Sequence, residues 1–114
     1  MAVKRRAYRI GEKIQSVLAQ EVLRLSDPRF YLVTITSVVV SSDLRHAKVY
    51  WVATGGTERC EEVSEAFESA SGNLRSRVSK DLGMRFAPQL SFYYDDSYDV
   101  RDEVARLLSR IEKP

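Results

Sequence analysis

One cysteine, one histidine, one tryptophan, three prolines and five glycines in 114 residues remove several protein classes at the start. Cys60 has no partner for an internal disulfide, so the fold is not a disulfide scaffold and a reducing compartment suits it. The chain has no zinc-ligand spacing and no glycine-rich loop of the nucleotide-binding kind, so no metal and no cofactor is expected. No apolar run approaches the length of a membrane span. Behind the basic N-terminus, Gly11, Glu12 and Lys13 interrupt any secretory h-region, so the chain is expected in the cytosol and away from membranes. Few prolines and glycines, with 44% hydrophobic and 30% charged residues, also exclude bulk disorder.

What is present is one domain's worth of chain, 1–114, long enough to bury roughly two-thirds of its unfolded surface around one core. The net charge is only +2, but the charges are sorted along the sequence. Lys4, Arg5, Arg6, Arg9, Lys13 and Arg24 cluster in the first 25 residues, and Arg75, Arg77, Lys80 and Arg85 in 70–90. The stretches 58–69 and 91–103 are acidic. Such sorting builds a lopsided electrostatic field, which bears on the choice of partner more than the total does.

Periodicity supplies the elements. Ile10, Ile14, Val17, Leu18, Val22 and Leu25 recur at helical spacing, which predicts an amphipathic helix over Ala7 to Leu25. Ser26-Asp27-Pro28-Arg29 stops it. Val33 to Val40 and His46 to Ala53 read as a β-hairpin around Ser41-Ser42-Asp43-Leu44, with Ala47, Val49, Trp51 and Ala53 on one face. Thr57 is placed to cap an acidic helix carrying Glu61, Glu62, Glu65 and Glu68. Its apolar stripe of Val63, Phe67 and Ala70 continues through Leu74, Val78 and Leu82, with Gly72 between, where a glycine costs about 1 kcal/mol relative to alanine and favours a break. Gly83 ends this stretch, Leu90 to Asp95 forms a third strand, and Val104, Leu107, Leu108 and Ile111 mark a last helix. Strands with helices segregated to one face form an α+β layout.

That order matches a type II KH-like domain, and local segments narrow it. Asp27-Pro28-Arg29, Val33-Thr34-Ile35-Thr36-Ser37-Val38, Asp43-Leu44-Arg45-His46-Ala47-Lys48-Val49-Tyr50, Ala70-Ser71-Gly72 and Pro88-Gln89-Leu90-Ser91-Phe92 make the chain resemble the ribosome-binding factor A family over nearly its whole length. The resemblance implies a three-stranded sheet with helices on one face, a helix-kink-helix at Ala70-Ser71-Gly72 in place of the Gly-x-x-Gly loop of ordinary KH domains, and a C-terminal helix. It implies an assembly factor and not an enzyme. Such a factor binds the free small (30S) ribosomal subunit and its 16S rRNA, assists late maturation and processing of that RNA, and matters for growth in the cold. Ribosome-associated GTPases are implied as further partners, and a monomer as the free form. A charged tail carried by many relatives does not follow Pro114 in this sequence, so contacts by such a tail are not assumed.

RNA binding needs cations that reach phosphates and small residues that let strands come close. The candidates are Arg5, Arg6, Arg9 and Lys13 as one strip and Ala70, Ser71, Gly72, Asn73, Arg75, Arg77, Lys80 and Arg85 as another. Asn73, Arg77 and Lys80 share a helical flank, and amides at a second helix start after Gly72 would favour an anion. The same residues also fit ordinary solvated surface charge. A protein-docking module using Glu61, Glu62 and Glu65 or the tyrosines is the runner-up. His46, the sole histidine, lacks a nucleophile and base around it, and the carboxylates Asp95, Asp96, Asp99, Asp102 and Glu103 lack calcium-loop spacing.

Overall fold

The apolar stripes and alternating runs define the core of a computed structural model that describes residues 2–97 together with 107 and 108. Helix α1 spans Ala2–Arg24 and buries Ala7, Ile14, Leu18 and Val22. It begins earlier than the apolar stripe because lysine, arginine and alanine sustain a helix on propensity alone. A 3-10 turn at Pro28–Phe30 follows, where Asp27 accepts from the Arg29 amide and its side chain. That guanidinium, together with the amide bond, holds the Asp27 carboxyl below its ordinary range.

Strands β1 (Val33–Val40) and β2 (His46–Ala53) pair antiparallel. Ala47, Val49 and Trp51 are fully buried, whereas His46 and Lys48 stand on the exposed face. Helix α2 (Cys60–Leu82) then carries the chain over the sheet to β3 (Gln89–Tyr94), which adds parallel to β2 and completes the order β1-β2-β3. A parallel neighbour demands such a crossover. Phe67 of α2 stacks on Phe92 with ring centroids 4.6 Å apart and meets Phe30 edge-on at 4.9 Å, joining the helix to the sheet. Trp51 meets Tyr94 edge-on, and among the described residues its Nε1 is buried with no hydrogen-bond acceptor.

Some details differ from expectation. Thr57 does not cap α2: Gly55, in the left-handed conformation at φ 104°, opens a 3-10 turn at Gly56–Arg59, and α2 starts after Arg59. Arg59 becomes a clamp, donating to the carbonyls of Tyr31, Thr54 and Arg29 and to the Glu62 carboxylate. The helix-kink-helix segment stands as expected, its halves meeting directly within one hydrogen-bonded element. No loop separates its halves at Ala70-Ser71-Gly72, and the junction is marked by Ser71 Oγ donating to the Glu68 carbonyl at 2.9 Å, a back-bond of the kind that bends helices. Without a second helix start, Gly72 and Asn73 offer no free amides to an anion. Strand β3 begins at Gln89 and ends at Tyr94, one position earlier than expected at each end. Leu107 and Leu108 are helical and exposed, while Val104, Ile111, Asp99, Asp102 and Glu103 lie outside the described residues.

The two helical glycines behave oppositely. At Gly11 a Cβ would stand 2.7 Å from the Val38 carbonyl oxygen, so α1 reaches β1 at backbone contact and nothing larger fits. At Gly72 a Cβ would meet nothing within 4 Å. Gly72→Ala should therefore raise stability by about 1 kcal/mol, a melting increase of roughly 4 °C. Gly11→Ala should lower stability by roughly 1–2 kcal/mol, because overpacking against backbone outweighs the gain in helix propensity. Thermal melts of the two variants check both signs.

Candidate nucleic-acid interface

Along the outer flank of α1, Arg5, Arg9 and Lys13 succeed one another at one-turn spacing with Arg6 beside them, and all are exposed. Facing them is the connection from α2 to β3. Between the two walls lies a groove of about 1160 Å³, lined by Arg5, Arg6, Arg9, Ile10 and Lys13 on one side and Asp81, Leu82, Gly83, Met84, Arg85 and Phe86 on the other. Among the described residues the groove thus gathers five basic side chains against one carboxylate, Asp81. The expected N-terminal strip and Arg85, far apart in sequence, form a single surface.

The second wall is held in shape by its own bonds. Gly83 takes the left-handed conformation at φ 61° and closes α2, its amide and that of Met84 returning to Lys80 and Ser79 carbonyls. Ser79 Oγ donates to the Met84 carbonyl at 2.6 Å. Past the tip, Arg75 donates twice to the Ala87 carbonyl, at 3.1 and 2.9 Å. The guanidinium expected to meet RNA is thus engaged in bracing the loop that bears Arg85.

Arg77 is engaged as well. It donates to Glu21 at 3.1 Å and lies 4.0 Å from Asp81, and the bond to Glu21, followed by the charges of Glu21 and Asp81, raises its pKa above the ordinary arginine value. Asn73, Arg77 and Lys80 do line one shallow depression of about 220 Å³, as their spacing predicts, but Glu21 of α1 faces into it. Lys80 and Asn73 remain exposed. Ala70, Ser71 and Gly72 line neither surface; Ala70 is half-buried against the core, and Gly72 is open to solvent.

Phe86 escaped sequence reasoning. It is 75% exposed, and the Arg85 guanidinium carbon lies over its ring, 5.4 Å from the centroid. The available signal was an aromatic beside arginine between Gly83 and Pro88, outside any strand or helix pattern. On the opposite account, the carboxylates of α2 remain an exposed acidic face, with Glu62 tied to Arg59 at 2.9 Å. Among the described residues no group of three or more His, Cys, Asp or Glu is placed to hold a metal ion, and no helix is long and apolar enough to cross a membrane.

The unequal status of the two post-junction cations is open to measurement. Arg77→Glu breaks the bond to Glu21, sets a new carboxylate beside Glu21 and Asp81 and should lower the melting temperature by several degrees, whereas Lys80→Glu, at a more exposed position that makes no ion pair among the described residues, should lower it much less. Equal melting of the two variants would show that the Arg77 pairing contributes nothing to the fold.

Comparison with known proteins places this arrangement. The family model described as ribosome-binding factor A matches residues 5–108. Ribosome-binding factor A of Geobacter metallireducens is 37% identical, over 94% of this chain and 92% of its own length. The Pseudomonas fluorescens protein of that name is 39% identical, over 92% of this chain and 81% of its own. Among solved structures, crystalline ribosome-binding factor A from Thermus thermophilus superposes with a TM-score of 0.69 at 27% identity, covering 77% of this chain and 94% of that one. A Thermus thermophilus homology model fitted into a cryo-EM map of a complex of the 30S subunit with the factor gives 0.67 at 28% identity, over 80% and 96% of the two chains.

Proposed function

The chain belongs to the ribosome-binding factor A family, and on that premise we propose that it is a cytoplasmic, non-enzymatic assembly factor that binds the free 30S subunit through its 16S rRNA and assists late maturation and processing of that RNA. The observation that carries the reading is the convergence of Arg5, Arg6, Arg9, Lys13 and Arg85 on one groove, with Asp81 the single opposing carboxylate among the described residues. Cations so placed neutralise successive phosphates and release their counterions, which supplies sequence-independent affinity. The Thermus thermophilus relative's complex with the 30S subunit supports the choice of particle.

Binding energy of this kind acts on RNA as a bias. A factor that prefers one conformation of immature 16S rRNA raises its population by its differential affinity for the two forms, and it departs when the mature form no longer favours it. RNA pairings that compete with the mature fold persist longer at low temperature, so loss of the bias is felt most in the cold. On this reading Gly72 and its exposed neighbours Asn73 and Lys80 form a second contact, where open space lets an RNA backbone approach. Arg75 and Arg77 act by holding the two surfaces in place. The free protein acts as a monomer, and a ribosome-associated GTPase is a candidate for driving its release.

Cosedimentation with purified 30S subunits over a salt series tests the proposal. Wild-type protein should pellet at low salt and be lost progressively as salt rises, with a slope set by the number of phosphates contacted. Arg9→Glu with Lys13→Glu should abolish pelleting at every salt while melting as wild type does. Pelleting that persists in the doubly reversed variant, or that ignores salt, would remove the groove as the RNA contact; survival of the complex after ribonuclease digestion would favour the acidic face of α2 and a protein partner.

A further inference from the structure

The groove's outer lip presents an unusual combination: an aromatic side chain left in water and held on a fixed support. Exposed large apolar residues are common singly, and exposure alone says little. Phe86, however, projects from a short connection pinned on both sides. The helix closure at Gly83 and the Ser79–Met84 bond precede it, and the double bond from Arg75 to Ala87 follows it. The Gln89 amide continues the anchoring by donating to the Arg45 carbonyl at 2.8 Å. A ring so placed loses little freedom when something settles on it.

Its surroundings say what that something is. The same groove carries the five cations, so whatever reaches Phe86 approaches along a positively charged channel. Arg85 lies over the ring and adds its own planar, stacking-competent surface. A cationic track with an aromatic face at its edge is the arrangement that holds single strands, with phosphates along the track and a base laid on the ring. A duplex keeps its bases stacked inside and has none to offer there. We propose that Phe86 and Arg85 form a stacking platform for an unpaired nucleobase, so that the groove takes single-stranded RNA in preference to duplex. The proposal rests on the groove being the RNA contact and adds which form of RNA it accepts.

The test uses the full chain and RNA alone. Binding of a labelled single strand of about ten nucleotides, and of the same sequence fully paired, is measured by fluorescence anisotropy at low and moderate salt. Phe86→Ala and Phe86→Leu should each weaken single-strand binding by about fivefold or more, leave duplex binding unchanged, and leave the salt slope as in wild type, because no phosphate contact is lost. Phe86→Trp should keep the affinity and show quenched emission with the single strand; Trp51, the sole native tryptophan, is buried and serves as the unquenched reference.

Wild-type affinity in Phe86→Ala, or in Phe86→Leu, would overturn the stacking platform: the first result means the ring is not touched, the second that it is touched only as an apolar surface. Either leaves the phosphate groove intact if Arg9→Glu with Lys13→Glu still loses both RNAs and flattens the salt dependence. If that charge reversal changes neither binding curve, the groove itself is wrong and the platform falls with it.

Discussion

The close approach of α1 to β1 at Gly11 is the constraint from which the rest of the molecule follows. With a Cβ excluded by the Val38 carbonyl oxygen, the helix lies on the edge strand at backbone distance, and Ile14, Leu18 and Val22 drop into the core behind it. Gln15 reinforces the contact by donating to the Ile35 and Thr36 carbonyls, where the β1 register shifts. Arg9 and Lys13 stand on either side of Gly11 in the sequence and project outward. Their position against the Gly83–Phe86 wall is therefore set by a packing contact, and a protein surface gains directed charge without any charge being buried.

The basic residues divide into those engaged within the fold and those left facing open space. Arg59, Arg75 and Arg77 are engaged by carbonyls or carboxylates of their own chain. Arginine suits such roles because its planar fork satisfies several acceptors at once. Arg5, Arg6, Arg9, Lys13 and Arg85 instead converge on open space. Sign and spacing in sequence do not separate the two groups, since the acceptor that claims an arginine is commonly distant in the chain: Glu21 for Arg77, and the Tyr31 carbonyl for Arg59.

Much of the fold was legible for a definite reason. Both hairpin strands are rich in β-branched and aromatic residues, β2 alternates buried Ala47, Val49 and Trp51 with more exposed neighbours, and both appear with the expected bounds, Val33–Val40 and His46–Ala53. A period of two admits few alternatives once one face is buried. The start of α1 was missed because Arg5 and Arg6 are helical but bury nothing, and periodicity registers only burial. Thr57 failed as a cap because the left-handed Gly55 turns the chain before α2 begins. At the junction, the helix-kink-helix segment runs without an intervening loop, as the resemblance implies, and flanking turns packed through Phe67, Leu74 and Val78 carry α2 across the glycine. For the site, the cations were legible as residue types and the groove was not, because its second wall depends on where α2 stops relative to α1.

The parallel seating of β3 has a consequence for when this surface exists. Joining β3 to β2 closes a loop that includes all of α2, whereas β1 and β2 are joined by a short turn, and the entropy lost on closure grows with the length enclosed. The last seam of the sheet is the more demanding one to form. A chain still emerging from its own synthesis, with the hairpin made and α1 docked, holds only the N-terminal bank of cations. The second wall, with Arg85 set against the α1 cations, therefore exists only once β3 is in place.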